Sequence, residues 1–199
     1  SNAHQLASAL GKWKVSTELL HLADDPEHIR QVLGEALKKF DALILSGGVS
    51  MGKLDFVPSV LAELGVEKLF HKVQQRPGKP FWFGKMETEK AVVFAFPGNP
   101  VSSFMCLNRY FLPWLRGSLG LPYFEEKYAV LAQDFFFKPD LTYFLQVKIS
   151  HEKDGRLMAR PLAGRGSGDL ANLTETDAFL ELPRGRQEFK AGAVFPLIP

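Results

Sequence analysis

Four segments carry residue types able to handle an anion or a hard cation. The first is Ser46-Gly47-Gly48-Val49-Ser50-Met51-Gly52-Lys53-Leu54-Asp55, lying between the apolar run 42–45 and a helical stripe that starts at Phe56. Glycines there let backbone N–H groups approach a phosphate or another oxyanion, and Ser46 and Ser50 add hydroxyls. Asp55 has two readings, a favourable acid in the first turn of a helix or an acid of a site. The second segment, Pro97-Gly98-Asn99-Pro100-Val101-Ser102-Ser103, again joins an apolar run to a helix. Alone it reads as a rigid turn with a helix cap; paired with the first loop it becomes a pocket wall. In the third, Lys72 precedes Arg76-Pro77-Gly78-Lys79-Pro80-Phe81-Trp82-Phe83-Gly84-Lys85, where cations spaced by turn residues and backed by aromatics suit phosphate groups as well as they suit a solvated hairpin tip. The fourth is Asp24-Asp25, where Asp25 is placed to cap a helix, leaving Asp24 free for function. Asp24 and Asp55, brought to one site, would suit Mg²⁺, which takes oxygen ligands beside phosphate.

Other chemistries find little support. His4, His21, His28, His71 and His151 lack metal-ligand spacing, and no nucleophile, base and acid arrangement emerges. The single cysteine, Cys106, sits in an apolar helical stretch and reads as packing; it excludes an internal disulfide and fits a reducing compartment, so a cytoplasmic protein is expected. A formal charge of +2 with interspersed signs gives no polyanion-binding face, so nucleic acid is not an expected partner. No apolar run approaches the roughly 18 residues of a spanning helix, and the N-terminus shows no signal pattern, so no membrane role is expected. With 46% apolar and 23% charged residues the chain has material for a sizeable core.

The elements that must position these segments alternate. Residues 4–10 read as a helix and 13–22 as a strand. From Pro26 to Phe40 the apolar positions Ile29, Val32, Leu33, Ala36, Leu37 and Phe40 recur at helical spacing, with Asp25 as N-cap and Pro26 at the first helical position. The run 42–45 follows as a buried strand, then a helix from Phe56 to Leu64 closed by Gly65, a second buried strand at 91–96, and a helix opened by Asn99-Pro100 and running through Leu115. Such alternation predicts an α/β domain with a three-layer, mostly parallel sheet over residues 4–120. The opening Ser1-Asn2-Ala3 resembles a tag remnant and is set aside. Past Gly117–Pro122 helical periodicity gives way to strand-like runs at 128–137, 143–150, 156–160, 178–182 and 193–198, with Glu152-Lys153-Asp154-Gly155 as a hairpin connection. A small, β-barrel-like domain is expected over 125–199.

Ser46-Gly-Gly-Val-Ser-Met-Gly-Lys-Leu-Asp55, Pro77-Gly-Lys-Pro-Phe81 and Pro97-Gly-Asn-Pro-Val-Ser102, in that order on alternating elements, resemble the MoeA/gephyrin E-domain family of molybdopterin molybdenumtransferases. The later β region with Gly166-Ser167-Gly168-Asp169-Leu170 is similar to that family's small C-terminal domain. The resemblance covers essentially residues 4–199. It implies a MogA-like, molybdopterin-binding α/β domain and an Mg²⁺-dependent reaction in which adenylylated molybdopterin and molybdate yield molybdenum cofactor and AMP. It implies that Asp24 and Asp55 handle Mg²⁺ and molybdate, that Lys72 and Arg76 are basic active-site positions, and that Ser46, Gly47, Gly48, Ser50, Gly52, Lys79, Pro97, Gly98, Asn99, Pro100 and Ser102 are cofactor-binding, the glycine loop at the pterin phosphate and the basic turn neutralising anion charge. Arg76 stands where lysine is common and Ala95 where glycine is usual. The α/β domain opens without its first strand, and a homodimer with a shared site is expected only of a longer parent. The 199-residue chain alone is expected to bind weakly and not turn over. Adenylyl transfer onto molybdopterin, or a non-catalytic scaffold keeping the pocket, are the alternatives.

Overall fold

The computed structural model describes residues 2–47, 56–122, 126–162 and 170–199. Two compact units emerge, one formed by 1–73 with 78–104 and the other by 74–77 with 105–199.

The first unit is built on a four-stranded sheet. Helix α1 (Asn2–Gly11) opens it, followed by α2 (Pro26–Lys39), β1 (Ala42–Ser46), α3 (Val57–Glu63), β2 (Glu67–His71), β4 (Trp82–Met86), β5 (Ala91–Phe96) and the start of α4 (Pro100–Cys106). Strand β3 (Gln75–Arg76) belongs to the second unit. Asp25 caps α2 as expected: its Oδ2 accepts from His28 N at 2.8 Å, an interaction worth about 1 kcal/mol. Gly65 follows α3 with φ +87°, the left-handed conformation that terminates helices at low cost to glycine. One sheet face buries Leu43, Trp82, Val93 and Ala95 against Ile29, Leu33 and Leu37 of α2 and Val60 and Leu61 of α3. The opposite face carries Phe81, Phe83, Phe94 and Phe96, whose rings meet at centroid distances of 4.7–6.3 Å.

The strand order is β1-β5-β4-β2, and only β1 and β5 run parallel; β5 with β4 and β4 with β2 are antiparallel. The expectation of a mostly parallel sheet is therefore corrected to a mixed one. The physical reason is the link between β4 and β5, the turn 87–90, which is too short for the crossover a parallel pair requires. Two further readings change. The strand expected at 13–22 is absent: residues 15–23 lie largely exposed, with Leu19 at 48%, and among the described residues no ladder engages them. The tripeptide set aside above is helical from Asn2 onward.

In the second unit a strand ring closes. Strands β6 (Lys127–Leu131), β9 (Leu157–Pro161), β8 (Thr142–His151), β10 (Ala178–Leu182) and β12 (Val194–Ile198) pair in that order, and β12 returns to β6. Inside lie Leu131, Leu145, Val147, Leu180, Leu182 and Phe195, so the barrel-like expectation matches this closed sheet. The run 128–137 is two strands, β6 and β7 (Phe135–Phe136), because Asp134 turns the chain by accepting from Ala191 N at 2.8 Å. Strand β7 pairs with β11 (Glu188–Phe189), and a short helix α6 (Leu170–Glu175) precedes β10. The helix opened by Asn99-Pro100 extends beyond Leu115 but is not uniform: α4 leads into a π-helical turn, Leu107–Phe111, and then α5 (Leu112–Ser118). Pro113 supplies the cause, since it has no N–H to donate and its ring would clash with the Arg109 carbonyl one α-turn back. Among the described residues no helix is long and apolar enough to cross a membrane.

Candidate functional site

Strand polarity sorts the candidate residues onto one edge of the first unit's sheet. Because β1 and β5 are parallel neighbours with Ser46 opposite Phe96, their following loops leave the same edge. Because β4 runs against β5 and β2 against β4, the end of β2 and the beginning of β4 lie there as well. That edge thus gathers Ser46 and Gly47, Pro97–Pro100, Lys72 after β2, and Lys79 before β4. Helix α2 joins β1 through Phe40 and Asp41 alone, so it runs back against the strand and brings Asp24 and Asp25 toward the same edge. Carboxyl ends of parallel strands, where the following loops and helix N-termini present backbone N–H groups, are the usual ligand position in such sheets.

The two loops are joined by specific contacts. Gly47 N donates to Phe96 O at 3.1 Å, and a Cβ built on Gly98 would lie 3.6 Å from Gly47 Cα. Gly47 itself has φ +89°, so glycine is required there by conformation. Ser103, fully buried, donates from Oγ to Pro97 O at 2.5 Å and lies 3.4 Å from Ser46 Oγ. Asn99 acts as the expected cap, its Oδ1 accepting from Ser102 N at 3.0 Å and from Ser102 Oγ at 3.1 Å. The Asn2 amide donates to Ser46 Oγ at 2.9 Å and to Gly98 O at 2.7 Å, bridging both loops.

The cationic turn is shaped by backbone bonds: Lys72 N donates to Phe81 O at 2.8 Å and Val73 N to Lys79 O at 2.9 Å. Lys72 adopts φ 70°, a left-handed conformation costing a non-glycine residue roughly 1 kcal/mol. Strain of this kind concentrates at functional sites. Lys72, Arg76 and Lys79 are exposed, and among the described residues none forms a salt bridge, whereas Arg30, Lys39, Lys85 and Arg109 all do. Arg76 itself belongs to the second unit, where β3 pairs in parallel with β8 and sets Arg76 beside Tyr143. Burial raises the Tyr143 phenol's pKa, and the Arg76 charge opposes that rise.

Asp24 is exposed. Gly48, Ser50, Gly52 and Asp55, together with Gly166–Asp169, lie outside the described residues. Among the described residues no group of three or more His, Cys, Asp or Glu side chains is arranged to hold a metal. Sequence reasoning included Ser103 in the second segment but gave it no role; it is the hydroxyl that bonds the Pro97 carbonyl, and its position one turn into the helix after Pro-Gly-Asn-Pro was the available signal. That reasoning missed His71 Nε2 and Trp82 Nε1, buried atoms without hydrogen-bond partners among the described residues, on directly facing residues of β2 and β4, for which the sequence holds no signal.

The family model described as "Probable molybdopterin binding domain" matches residues 1–117, and that of the MoeA C-terminal region, domain IV, matches 128–199. The molybdopterin molybdenumtransferase of Synechocystis is 45% identical over 181 residues, 91% of this chain and 44% of the relative. That of Bacillus subtilis is 30% identical over 197 residues, 96% of this chain and 45% of the relative. A crystal structure of the molybdopterin biosynthesis MoeA protein from Pyrococcus horikoshii superposes with a TM-score of 0.75 at 26% identity, covering 99% of this chain and 46% of that one. The chain spans less than half the length of these relatives. With one family model over the glycine-loop sheet and the other over the closed barrel, the chain belongs to the MoeA family.

Proposed function

We propose that this chain carries the pterin-binding and anion-binding part of a molybdopterin molybdenumtransferase, which converts adenylylated molybdopterin and molybdate to molybdenum cofactor with release of AMP. The observation that carries the reading is the single sheet edge onto which β1, β5, β2 and β4 direct the loops Ser46–Gly47 and Pro97–Pro100 and the exposed cations Lys72 and Lys79. The curated relatives bear the name of that enzyme.

In this reading the glycine loop, with Ser46, Gly47, Gly48, Ser50 and Gly52, offers N–H and hydroxyl donors to the pterin phosphate. Pro97, Gly98, Asn99, Pro100 and Ser102 form the facing wall, stiffened by the Ser103 bond to Pro97. Lys72, Lys79 and Arg76 neutralise phosphate and molybdate charge. Their ammonium and guanidinium groups hold the anions without proton transfer. Mg²⁺ fits the donor chemistry, since Asp24 presents an exposed carboxylate and Mg²⁺ is ordinarily held by one or two carboxylates with substrate oxygens. Asp24 and Asp55 would hold it, and when bound it supplies charge stabilisation to phosphate and molybdate oxygens. Catalysis on these terms is positioning and electrostatics rather than covalent chemistry. A cytoplasmic site of action and a dimeric full-length assembly belong to the same reading.

Equilibrium binding of adenylylated molybdopterin, measured on the chain extended to the full length of its relatives, tests it. Lys72→Ala is expected to weaken binding about tenfold or more, the scale of one lost charge-assisted contact of about 1.5–3 kcal/mol. Unchanged affinity in a folded Lys72→Ala protein would remove the cationic turn from the site.

A further inference from the structure

Gln75 is a polar side chain only 1% exposed, on a strand two residues long. Both ends of its amide are engaged: Oε1 accepts from the Tyr110 hydroxyl, and Nε2 points to Cys106 Sγ at 3.9 Å. Tyr110 is presented by the π-helical turn Leu107–Phe111, in which Leu112 N donates to Leu107 O, one residue farther back than in an α-helix. The extra residue rotates the following helical positions by about 100° relative to an unbroken α-helix. The turn is anchored on the barrel, because Arg109 Nε donates to Glu181 Oε2 of β10 at 3.0 Å. Successive side chains of a strand point to opposite faces, so a Gln75 fixed toward the π-turn sends Arg76 the other way, beside Tyr143 of β8. Tyr143 is in turn held between Phe135 and Phe137, with nearly parallel rings at 5.6 and 4.2 Å.

A strand of two residues has little backbone pairing with which to hold its own facing. Besides the register of Gln75 with Thr142 and Arg76 with Tyr143, the adjoining backbone bond runs from Thr142 N to Gln74 O at 3.0 Å. We propose that Gln75, clamped by the Tyr110 hydroxyl from the π-helical turn, is a positioning residue that fixes the direction in which Arg76 offers its guanidinium to a phosphate-bearing ligand. The inference rests on the anion role given to Arg76 above and adds to it a built-in orienting device made of Pro113, the π-turn, Tyr110 and Gln75.

The test is a double-mutant cycle on the affinity of the chain for inorganic pyrophosphate, with wild type, Arg76→Ala, Tyr110→Phe, Gln75→Leu and each of the latter two combined with Arg76→Ala. Tyr110→Phe removes one oxygen and keeps the ring, so it serves should Gln75→Leu fail to fold. Arg76→Ala is expected to weaken pyrophosphate binding about tenfold and Tyr110→Phe several-fold. In the Arg76→Ala background, Tyr110→Phe and Gln75→Leu are expected to have no further effect. Equal losses in both backgrounds would show a general structural effect and overturn the clamp. Wild-type affinity in Tyr110→Phe beside weakened Arg76→Ala would overturn it too. Affinity unchanged by Arg76→Ala would remove Arg76 from the anion site, and the positioning role would fall with it.

Discussion

Ser103→Ala is a sharp probe of how the second loop is held. Ser103 is fully buried, and its Oγ donates to the carbonyl of Pro97, itself buried, at 2.5 Å. Truncation leaves that carbonyl without this donor in a site closed to water, a loss of about 1–3 kcal/mol. The 3.4 Å approach to Ser46 Oγ is too long to add much. For a chain of this size each kcal/mol moves the melting midpoint by roughly 2–4 °C, so a fall of about 2–12 °C is expected. Ser102→Ala is the matched control, because Asn99 Oδ1 keeps its bond from Ser102 N at 3.0 Å when the hydroxyl goes. Its cost should stay below about 1 kcal/mol. Thermal and urea denaturation of the two variants beside wild type would measure both. A Ser103→Ala protein as stable as wild type, or less affected than Ser102→Ala, would refute the view that this hydroxyl secures the loop.

Other consequences follow from single features of the fold. A Cβ on Gly84 would meet Trp82 Cη2 at 2.5 Å and the Glu67 carbonyl oxygen at 2.7 Å, so Gly84→Ala should destabilise by about 3 kcal/mol or more by overpacking, measured by urea denaturation. At Lys72, with φ 70°, Lys72→Gly should be about 1 kcal/mol more stable than Lys72→Ala although both lose the charge; equal stabilities would mean that the backbone there is unstrained. Burial pushes the Cys106 thiol well above its ordinary range, so it should resist thiol reagents in the native protein and react on addition of denaturant. Backbone N–H donors, from Ile149 to Asp177, Ala191 to Asp134 and Gly185 to Asp140, hold these carboxyls below their usual range, as do their cationic neighbours. Because the folded pKa values are depressed, their stabilisation is present above about pH 4 and is lost as pH falls through the folded values. Asp177→Asn should therefore flatten the decline in urea midpoint below pH 4.

Where local chemistry decides the structure, the residues were readable. Asp25-Pro26 opens α2, Gly65 closes α3, and the apolar runs 42–45 and 91–96 become β1 and β5. That pair alone brings the two candidate loops to one edge, which is why the site could be sketched before its sheet was known. Strands β2 and β4 were hidden for opposite reasons. Glu67–Phe70 lies exposed and so has no apolar alternation, whereas Trp82–Met86 is interrupted by Gly84, which is needed under the Trp82 ring. Missing them turned a mixed sheet into a parallel one. The Gln75, Tyr110 and Cys106 contacts join positions 31 and 35 residues apart, and no spacing rule reaches across that separation. The reading of one helix through Leu115 passed over Pro113, the local signal for a break, and no sequence rule names the π-turn that accommodates it.

The central claim is tested most directly by AMP release from adenylylated molybdopterin in the presence of molybdate and Mg²⁺, measured on the chain extended to the full length of its relatives and on its Asp55→Ala and Lys72→Ala variants. The account predicts molybdate-dependent release that Asp55→Ala abolishes and Lys72→Ala diminishes, and no release by the 199-residue chain alone. A folded full-length protein that releases no AMP, or that releases it undiminished after both substitutions, would contradict it.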